Sequence, residues 1–329
     1  MNLLNQARKE TEKIIDILYA PLKGILKKKP RTHRRTARKE YLKVAKKRRP
    51  SQKERREAIE KQLQYINRNL KHIEKLIEEG AKLESLNKRQ LTALLVVKKI
   101  YEQQFEMWSN NTQSVEKRIV SLTQPHIRPI VRGKAGKPTE FGAKLSVSCV
   151  DNYVFLDRLS WENFNESGDL VAQVEKFKET YGCYPESVHV DQIYRTRYNR
   201  AWCKERGIRI SGPPLGRPPK NVSQEQKKQA QEDERFRNAI EGKFGQGKRR
   251  FSLNLVMTKL QETSETAIAI SFLVINLSKL LRQFLRLFLS LFIQTRTRPL
   301  KGRGYFNKNY IKAILQQQNL CLRGQIIGS

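Results

Sequence analysis

The spacing of apolar residues predicts two packed helices in the first half of the chain. From residue 57, apolar side chains recur at alternating steps of four and three, as in a helix with a packing partner. They are Ile59, Leu63, Ile66, Leu70, Ile73 and Ile77. Gly80 offers the left-handed conformation that ends a helix, and a second apolar helix follows over about 91–105. This pattern predicts an α-helical hairpin over 57–113, and a dimer interface along the same stripe stays open.

The pattern then changes to one that is typical of strands. Three runs are β-branched or alternate between apolar and polar residues, and they end at Gly, Pro or Asn. These runs are 118–122, 141–150 and 153–161. Asp151 and Asn152 predict a tight turn between the second and third strands. Residues 128–137 predict a basic loop whose glycines allow close approach to a phosphate.

The order of the following elements indicates the fold class. Ser167 is predicted to cap a helix over 168–181, and ESVHVD then predicts a strand that ends at Asp191. Prolines predict a loop over 211–222, and Ser223 begins a long polar helix. Three strands, a crossover helix and a further strand are the order of a ribonuclease-H-like core. We therefore predict an α/β fold, with a mixed sheet and helices, preceded by the helical hairpin and a basic arm.

The charge balance points to a polyanionic partner. Lys and Arg number 66 against 32 Asp and Glu, giving a net charge of +34. Residues 27–56 carry sixteen of these cations and two Glu, so we expect this block to repel itself and stay loose until it meets an anion. Nucleic acid releases counterions when its phosphates are neutralised, which favours DNA or RNA over a membrane surface. A merely solubilising tail is the alternative for this block.

Other classes of protein receive little support. The four Cys lack a CxxC spacing and the four His lack zinc-ligand spacing, so we expect free thiols and no zinc module. The first twenty residues have no signal-peptide core. Residues 266–278 are uncharged but too short to span a bilayer, and 266–293 predict a core helix that continues as an amphipathic one. The segment after 293 shows no interpretable pattern.

Two acidic residues are the candidates for chemistry. Arg237, Glu241 and Lys248 share one face of the polar helix, because they lie four and seven residues apart. An ordinary surface ion pair and an acid beside phosphate-binding cations both fit that pattern. Asp191 ends a buried strand, where a carboxylate is costly unless it reaches solvent or a partner. Capping the next helix is the simpler role for Asp191.

These residues resemble the insertion-sequence DDE transposases of the IS-five-like group, whose last acid lies in a Tyr-x2-Arg-x3-Glu-x6-Lys signature. Arg237, Glu241 and Lys248 match that signature, whereas Glu234 stands at the Tyr position. Four further pieces carry the resemblance, and they read IRPIVRGK, EFGAK, DQIYRTRYNR and IEGKFGQGKRR. Upstream, the chain resembles the middle of longer relatives, which implies an N-terminally truncated copy.

The resemblance implies a two-metal Mg²⁺ site and a set of DNA-binding cations. Asp191, Glu241 and Glu116 are the implied metal ligands and catalytic acids, although Lys117 lies beside Glu116 where an Asp is expected. Mg²⁺ prefers such carboxylate oxygens and activates the attacking water or hydroxyl. The implied DNA contacts are Arg237, Lys248, Arg249, Arg132 and Lys134.

We therefore expect a transposase that cleaves an element's 3′ ends and transfers them to target DNA. The alternatives are a catalytically inactive DNA-binding relic and a basic RNA-associated structural protein. Expected partners are double-stranded DNA and no membrane, with a homodimer or higher oligomer left open, in the cytoplasm at a bacterial nucleoid. The expected domains are an arm (1–56), the hairpin (57–113), a catalytic domain (114–293) and a tail (294–329).

Overall fold

A computed structural model of the chain describes residues 1–26, 28–134, 137–213, 215–216, 223–296 and 325–328. The chain divides into two compact units, Met1–Gly142 and Ala143–Ser329. The division falls inside the segment 114–293 that the sequence assigns to one catalytic domain. The described residues form a helix-rich α/β protein with small sheets.

The first unit contains four helices among its described residues. They are α1 (Asn2–Tyr19), α2 (Arg34–Ala45), α3 (Gln52–Glu78) and α4 (Lys88–Ser109). The predicted stripe of α3 is buried in the core at Leu63, Ile66, Leu70 and Ile73. Gly80 has φ +103°, a conformation that the predicted helix end requires. Because α1 packs on both α3 and α4, the core contains three helices and not the hairpin alone.

The basic arm predicted over 1–56 is structured in its described part. Helix α1 places Leu4, Ile14 and Leu18 in the core. In α2, the cation Arg34 pairs with Asp16 of α1. The prediction that residues 27–56 stay loose was wrong for the part that forms α2. It rested on the charges within that segment alone, whereas in the fold acids on neighbouring helices pair with its cations.

The segment before the first sheet corrects two predictions. Residues 118–122, all of which are described, form neither helix nor strand. The backbone N–H of Ile119 donates instead to Gln103 Oε1 on α4, at 2.9 Å, and the Ile119 side chain is buried against the helices. The predicted basic loop over 128–137 is an antiparallel pair of strands, β1 (Arg128–Lys134) and β2 (Lys137–Gly142).

The second unit is organised around a five-stranded mixed sheet among its described residues. Its strands are β3 (Lys144–Val150), β4 (Tyr153–Ser160), β5 (Ser187–Val190), β6 (Arg209–Ser211) and β7 (Gln325–Gly328). The spatial order is β4-β3-β7-β5-β6. Strand β7 runs antiparallel to β3 and parallel to β5. In a ribonuclease-H-like core, the first predicted strand, 118–122, would pair with the next strand along the chain. Here β7, from the segment without an interpretable pattern, pairs with β3 instead.

Local signals predict the elements around this sheet well. Asp151 and Asn152 both have positive φ, as a two-residue hairpin turn between β3 and β4 requires. Helix α5 (Asp169–Tyr181) agrees with the predicted span 168–181, but its N-cap is Gly168, without a side-chain hydrogen bond, so the predicted cap at Ser167 is wrong. Its residues Leu170 and Val174 pack with Val188 and Val190 of β5 in the core of the unit.

Three helices complete the second unit. They are α6 (Arg197–Glu205), α7 (Gln224–Arg250) and α8 (Gln261–Arg296). Ser223 begins α7 as predicted, and its hydroxyl accepts the N–H of Gln226 in a capping box. Helix α7 contacts β5, and α8 packs on β4.

Candidate active site

Asp191 lies directly after β5, at the edge of the sheet where α7 crosses. Its side chain is about half exposed, so the carboxylate reaches solvent as the sequence analysis requires of an acid at this point. The short helical turn Gln192–Tyr194 follows, but the Asp191 side chain makes no capping hydrogen bond to it. The simpler role of a helix cap is therefore wrong for this carboxylate.

Arg237 on α7 links Asp191 to the acids of that helix. Its Nη1 donates to Asp191 Oδ1 at 2.8 Å, and its Nη2 donates to Glu234 Oε1 at 3.3 Å. The hydrogen bond to Asp191 raises the pKa of Arg237, and the charges of Glu234 and Glu241 act in the same direction. Asp191, which directly follows β5, bonds this guanidinium, and the charge of Glu241 acts on it from one turn further along α7. Glu234, which occupies the signature's Tyr position, is a third acid around it.

A partly buried polar cluster fixes α7 against the edge of the sheet. Arg209 on β6 donates from both terminal nitrogens to Asp233, at 2.7 and 2.8 Å. His189 on β5 lies 3.4 Å from Asp233 and shares a hydrogen bond with Ser211 at 2.7 Å. Burial acts to raise the pKa of Asp233, but the hydrogen bonds from Arg209 and Gln229 bring it below its ordinary value. The sequence analysis missed this cluster, although Asp233 lies one turn before Arg237.

The buried His189 makes the stability of this unit depend on pH. Burial lowers the pKa of His189 and Arg209 lowers it further, while Asp233 opposes both. The folded-state pKa lies below the unfolded value of about 6.5. The free energy of unfolding is therefore highest above pH 6.5, and it falls below pH 6.5 because the unfolded chain binds this proton more readily. We expect a loss of at most about 1.4 kcal/mol per pH unit from this one group.

Urea unfolding between about pH 8 and pH 5 checks this expectation. His189→Gln removes the titration and should flatten the dependence below pH 6.5 relative to the parent chain. A variant with the same slope as the parent chain would contradict a role for His189.

Gly212 holds the loop after β6 close to Asp191. A Cβ at this position would lie 2.3 Å from the backbone oxygen of Val190 and 3.1 Å from Cδ of Arg195. Arg195 donates to the backbone oxygens of both Gly212 and Pro213. The close approach therefore depends on glycine, and it lies one residue from the candidate acid.

We expect Gly212→Ala to displace the backbone at Val190 and Asp191. The added methyl group overlaps a backbone oxygen, which a side-chain rotation cannot relieve, so a loss of about 1–3 kcal/mol of stability is expected. Thermal unfolding of the full chain measures it. Gly242→Ala is the matched control. Gly242 lies in helix α7, and a Cβ at this position would meet nothing within 4 Å. A stabilising Gly212→Ala would contradict the close approach.

Exposed cations continue along α7 beyond the acids. Lys248 and Arg249 are both exposed in the last turn of the helix. Arg132 and Lys134, the other predicted DNA contacts, lie on β1, but their side chains fall outside the described residues. Their role stays a prediction.

Glu116, the third predicted acid, belongs to the first unit. It is exposed in a turn, and its backbone oxygen accepts a hydrogen bond from Gln103. The adjacent Lys117 has φ +50°. The turn replaces the strand that the sequence predicts to begin here, and the role of Glu116 as a ligand stays a prediction.

Two buried cysteines are free thiols, as predicted. Cys149 and Cys203 are buried, and Cys183 is partly exposed. Burial raises the pKa of Cys149 to about 11. A thiol with such a pKa stays protonated at neutral pH, so it offers no reactive thiolate. Cys321 lies outside the described residues.

The acids around Arg237 suit a hard divalent cation in their donor chemistry. Asp191 and Glu241 offer carboxylate oxygens, which Mg²⁺ prefers. Across the described part of the chain, however, no group of three or more His, Cys, Asp or Glu side chains is placed to hold a metal ion. The donor chemistry of Asp191 and Glu241 therefore suits a cation, while a two-metal site needs a further ligand.

Fold and site together define a helix-rich α/β protein in which a long helix brings acids and cations to the end of a buried strand. A family model described as a transposase DDE domain matches residues 188–278. The match includes Asp191, Arg237, Glu241 and Lys248, and it supports a DDE transposase. Neither curated proteins nor solved structures give a match to this chain.

Proposed function

We propose that this protein is an insertion-sequence transposase that cleaves DNA and joins it to a target by metal-dependent phosphodiester transfer. The observation that carries the proposal is the ion pair of Asp191 with Arg237, which lies one turn before Glu241 on α7, inside the matched segment. Asp191 and the helix that carries Glu241 thus meet beside exposed cations. The IS-five-like group is part of this proposal, with Glu234 as its departure.

Asp191 and Glu241 would hold a divalent cation. When bound, Mg²⁺ would lower the pKa of the attacking water or hydroxyl and stabilise charge on the phosphate. Without it, Arg237 neutralises Asp191 and keeps α7 close to the end of β5. Arg237 therefore positions the acids before the cation arrives.

Exposed cations on α7 would hold the DNA backbone. Lys248 lies seven residues after Glu241 on the same helix face, and Arg249 follows it. Contacts of this kind bind phosphates without reading the base sequence. With a net charge of +34, we expect DNA binding to weaken steeply as salt is raised.

An inactive DNA-binding relic is the second candidate. Two observations favour it: among the described residues no group of three or more His, Cys, Asp or Glu side chains is placed to hold a metal ion, and Lys117 lies beside Glu116. Such a protein would keep the positive surface and lose cleavage. An RNA-associated structural protein is not better supported by the contacts or by the family match.

The experiment is a cleavage assay with the full chain and a plasmid that carries the chromosomal DNA on both sides of its gene. A transposase should leave new 3′ hydroxyl ends at the borders of the element with Mg²⁺ or Mn²⁺, and none with a chelator. Binding of DNA without cleavage would establish the relic. A preference for RNA over duplex DNA would overturn both.

A further inference from the structure

One side of α8 is fastened to the second unit. The amide of Asn276 bonds both backbone groups of Val154 on β4, at 2.9 and 2.7 Å. Tyr153 donates to Gln283 at 2.6 Å, and Phe272 packs edge to face on Phe244 of α7. These contacts fix the rotation of the helix about its own axis, and therefore also determine which side chains point away.

The neighbouring side of α8, turned away from Phe272, carries an exposed heptad stripe. Six apolar residues follow one another at alternating steps of three and four over almost three heptads, and two more flank them. These eight residues, the α8 seam, are Ile270, Leu273, Leu277, Leu280, Leu281, Phe284, Leu287 and Phe288. Each is between 40% and 64% exposed, although apolar side chains of this size are usually buried.

We propose that the α8 seam is the interface between two copies of this chain. A stripe that repeats every seven residues faces a partner helix along its whole length. Apolar residues exposed at unrelated positions would not form such a continuous surface. No helix or strand among the described residues buries the side chains of the α8 seam. A second α8 offers the same spacing and would interlock with it.

The apolar area agrees with a dimer. With about 200 Å² for a fully exposed Leu or Phe side chain, the seam leaves roughly 800 Å² of apolar surface in water. A stable protein interface buries about 800 Å² on each partner. One seam against another therefore reaches the ordinary size without help from other surfaces.

The charges of α8 also allow two copies to approach. Lys279, Arg282 and Arg286 all lie outside the seam, at heptad positions that face away from a partner. The residues that border the seam on the side of β4, Asn276 and Gln283, are neutral. Two chains of +34 thus meet here through uncharged positions, which lowers the repulsion that their surfaces would otherwise produce.

A membrane is a poorer occupant for this helix. By length and composition, Gln261–Ser290 could cross a bilayer. The hydrogen bonds of Asn276 and Gln283 hold its middle on the sheet, and three cations interrupt residues 279–286. No uncharged stretch there approaches the roughly 20 residues that a span needs.

Sedimentation velocity of the nuclease-treated full chain tests the proposal without DNA or metal, so its failure would leave the proposed function untouched. Salt of about 0.5 M screens the surface charges and leaves apolar contacts in place. We expect a dimer, and we expect Leu280→Glu to raise its dissociation constant about 100-fold, because each copy then brings a carboxylate into an apolar seam.

Leu289→Glu is the matched control. Leu289 is 53% exposed and Leu280 is 54%, but Leu289 lies on the other side of the helix. The control should remain a dimer, and both variants should keep the parent's melting temperature. A monomer at about 50 µM, or equal effects of the two substitutions, would overturn the proposal. Binding to phosphatidylcholine vesicles that depends on Leu280 would overturn it in favour of a lipid surface.

Discussion

Asp191→Asn should reduce metal-dependent DNA cleavage by about 100- to 1,000-fold, because it removes a ligand from a cation that contributes several kcal/mol to the transition state. The substitution keeps the shape of the side chain and its hydrogen bond from Arg237, whose ion pair is partly exposed and adds little stability. Glu241→Gln should have a similar effect. The measurement is the rate of strand cleavage at saturating Mg²⁺.

Glu234→Gln is the control for this prediction. Glu234 also bonds to Arg237, but its side chain is 62% exposed and lies on the outer side of that contact. Its loss should change cleavage by less than about tenfold. Calorimetry should show weaker Mg²⁺ binding for the Asp191 and Glu241 variants, while all three keep their affinity for duplex DNA. Normal cleavage by Asp191→Asn would refute the assignment of this acid.

Arg8→Leu should lower the free energy of unfolding of the first unit by about 3–5 kcal/mol, because it leaves a buried carboxylate without its closest cation. Arg8 is 1% exposed and pairs with Glu12, whose side chain is 8% exposed. Its guanidinium also donates to Gln62 at 3.2 Å and to Asn5 at 2.8 Å. The network therefore ties α1 to α3.

Two further variants test whether the cost of losing Arg8 comes from the burial of its ion pair or from the loss of any charge on α1. Lys13→Leu breaks the pair with Glu10 on the same helix, where the side chains are 66% and 30% exposed. It should change stability by less than about 1 kcal/mol. Replacing Arg8 and Glu12 together with Leu should recover much of the loss. Urea unfolding, with hydrogen exchange of α1 and α3, measures these effects. Equal effects of Arg8→Leu and Lys13→Leu would show that burial does not decide the cost.

The pH dependence of Glu12 gives a second view of the same network. Burial raises the pKa of Glu12 above its ordinary value, although Arg8 and Arg34 oppose the shift. The carboxyl therefore binds its proton more readily in the folded chain than in the unfolded one. As pH falls towards 4, this group should add stability and not remove it, the reverse of His189.

Local signals in the sequence predicted much of the secondary structure. The Ser51 and Ser223 caps, the Gly80 helix end and the Asp151-Asn152 turn each depend on a few neighbouring residues. Ser51 was the one feature of this group that the sequence analysis did not use. Strand ends and helix faces are periodic features, so the sequence marks Asp191 and Arg237 as candidate site residues, although it does not predict their contact.

Several predictions that depended on partners distant in the sequence were wrong. The β-branched run 118–122 can form a strand only where another strand offers its edge, and Gln103 satisfies its backbone instead. Strand β7 comes from a short segment without a strand signal of its own, and pairing on both sides defines it. The docking of α7 by Asp233 depends on cations and a histidine from two other strands.

The sequence by itself determined most of the helices from α3 onward, the turns, the excess of positive charge and the candidate acids after β5 and on α7, because these follow from residues close together along the chain. Only the tertiary structure decided that Arg237 bonds Asp191, that Arg8 is buried, and that the α8 seam faces solvent. The physical reason is that burial and ion pairing are properties of distant segments brought together, which periodicity within one segment does not contain.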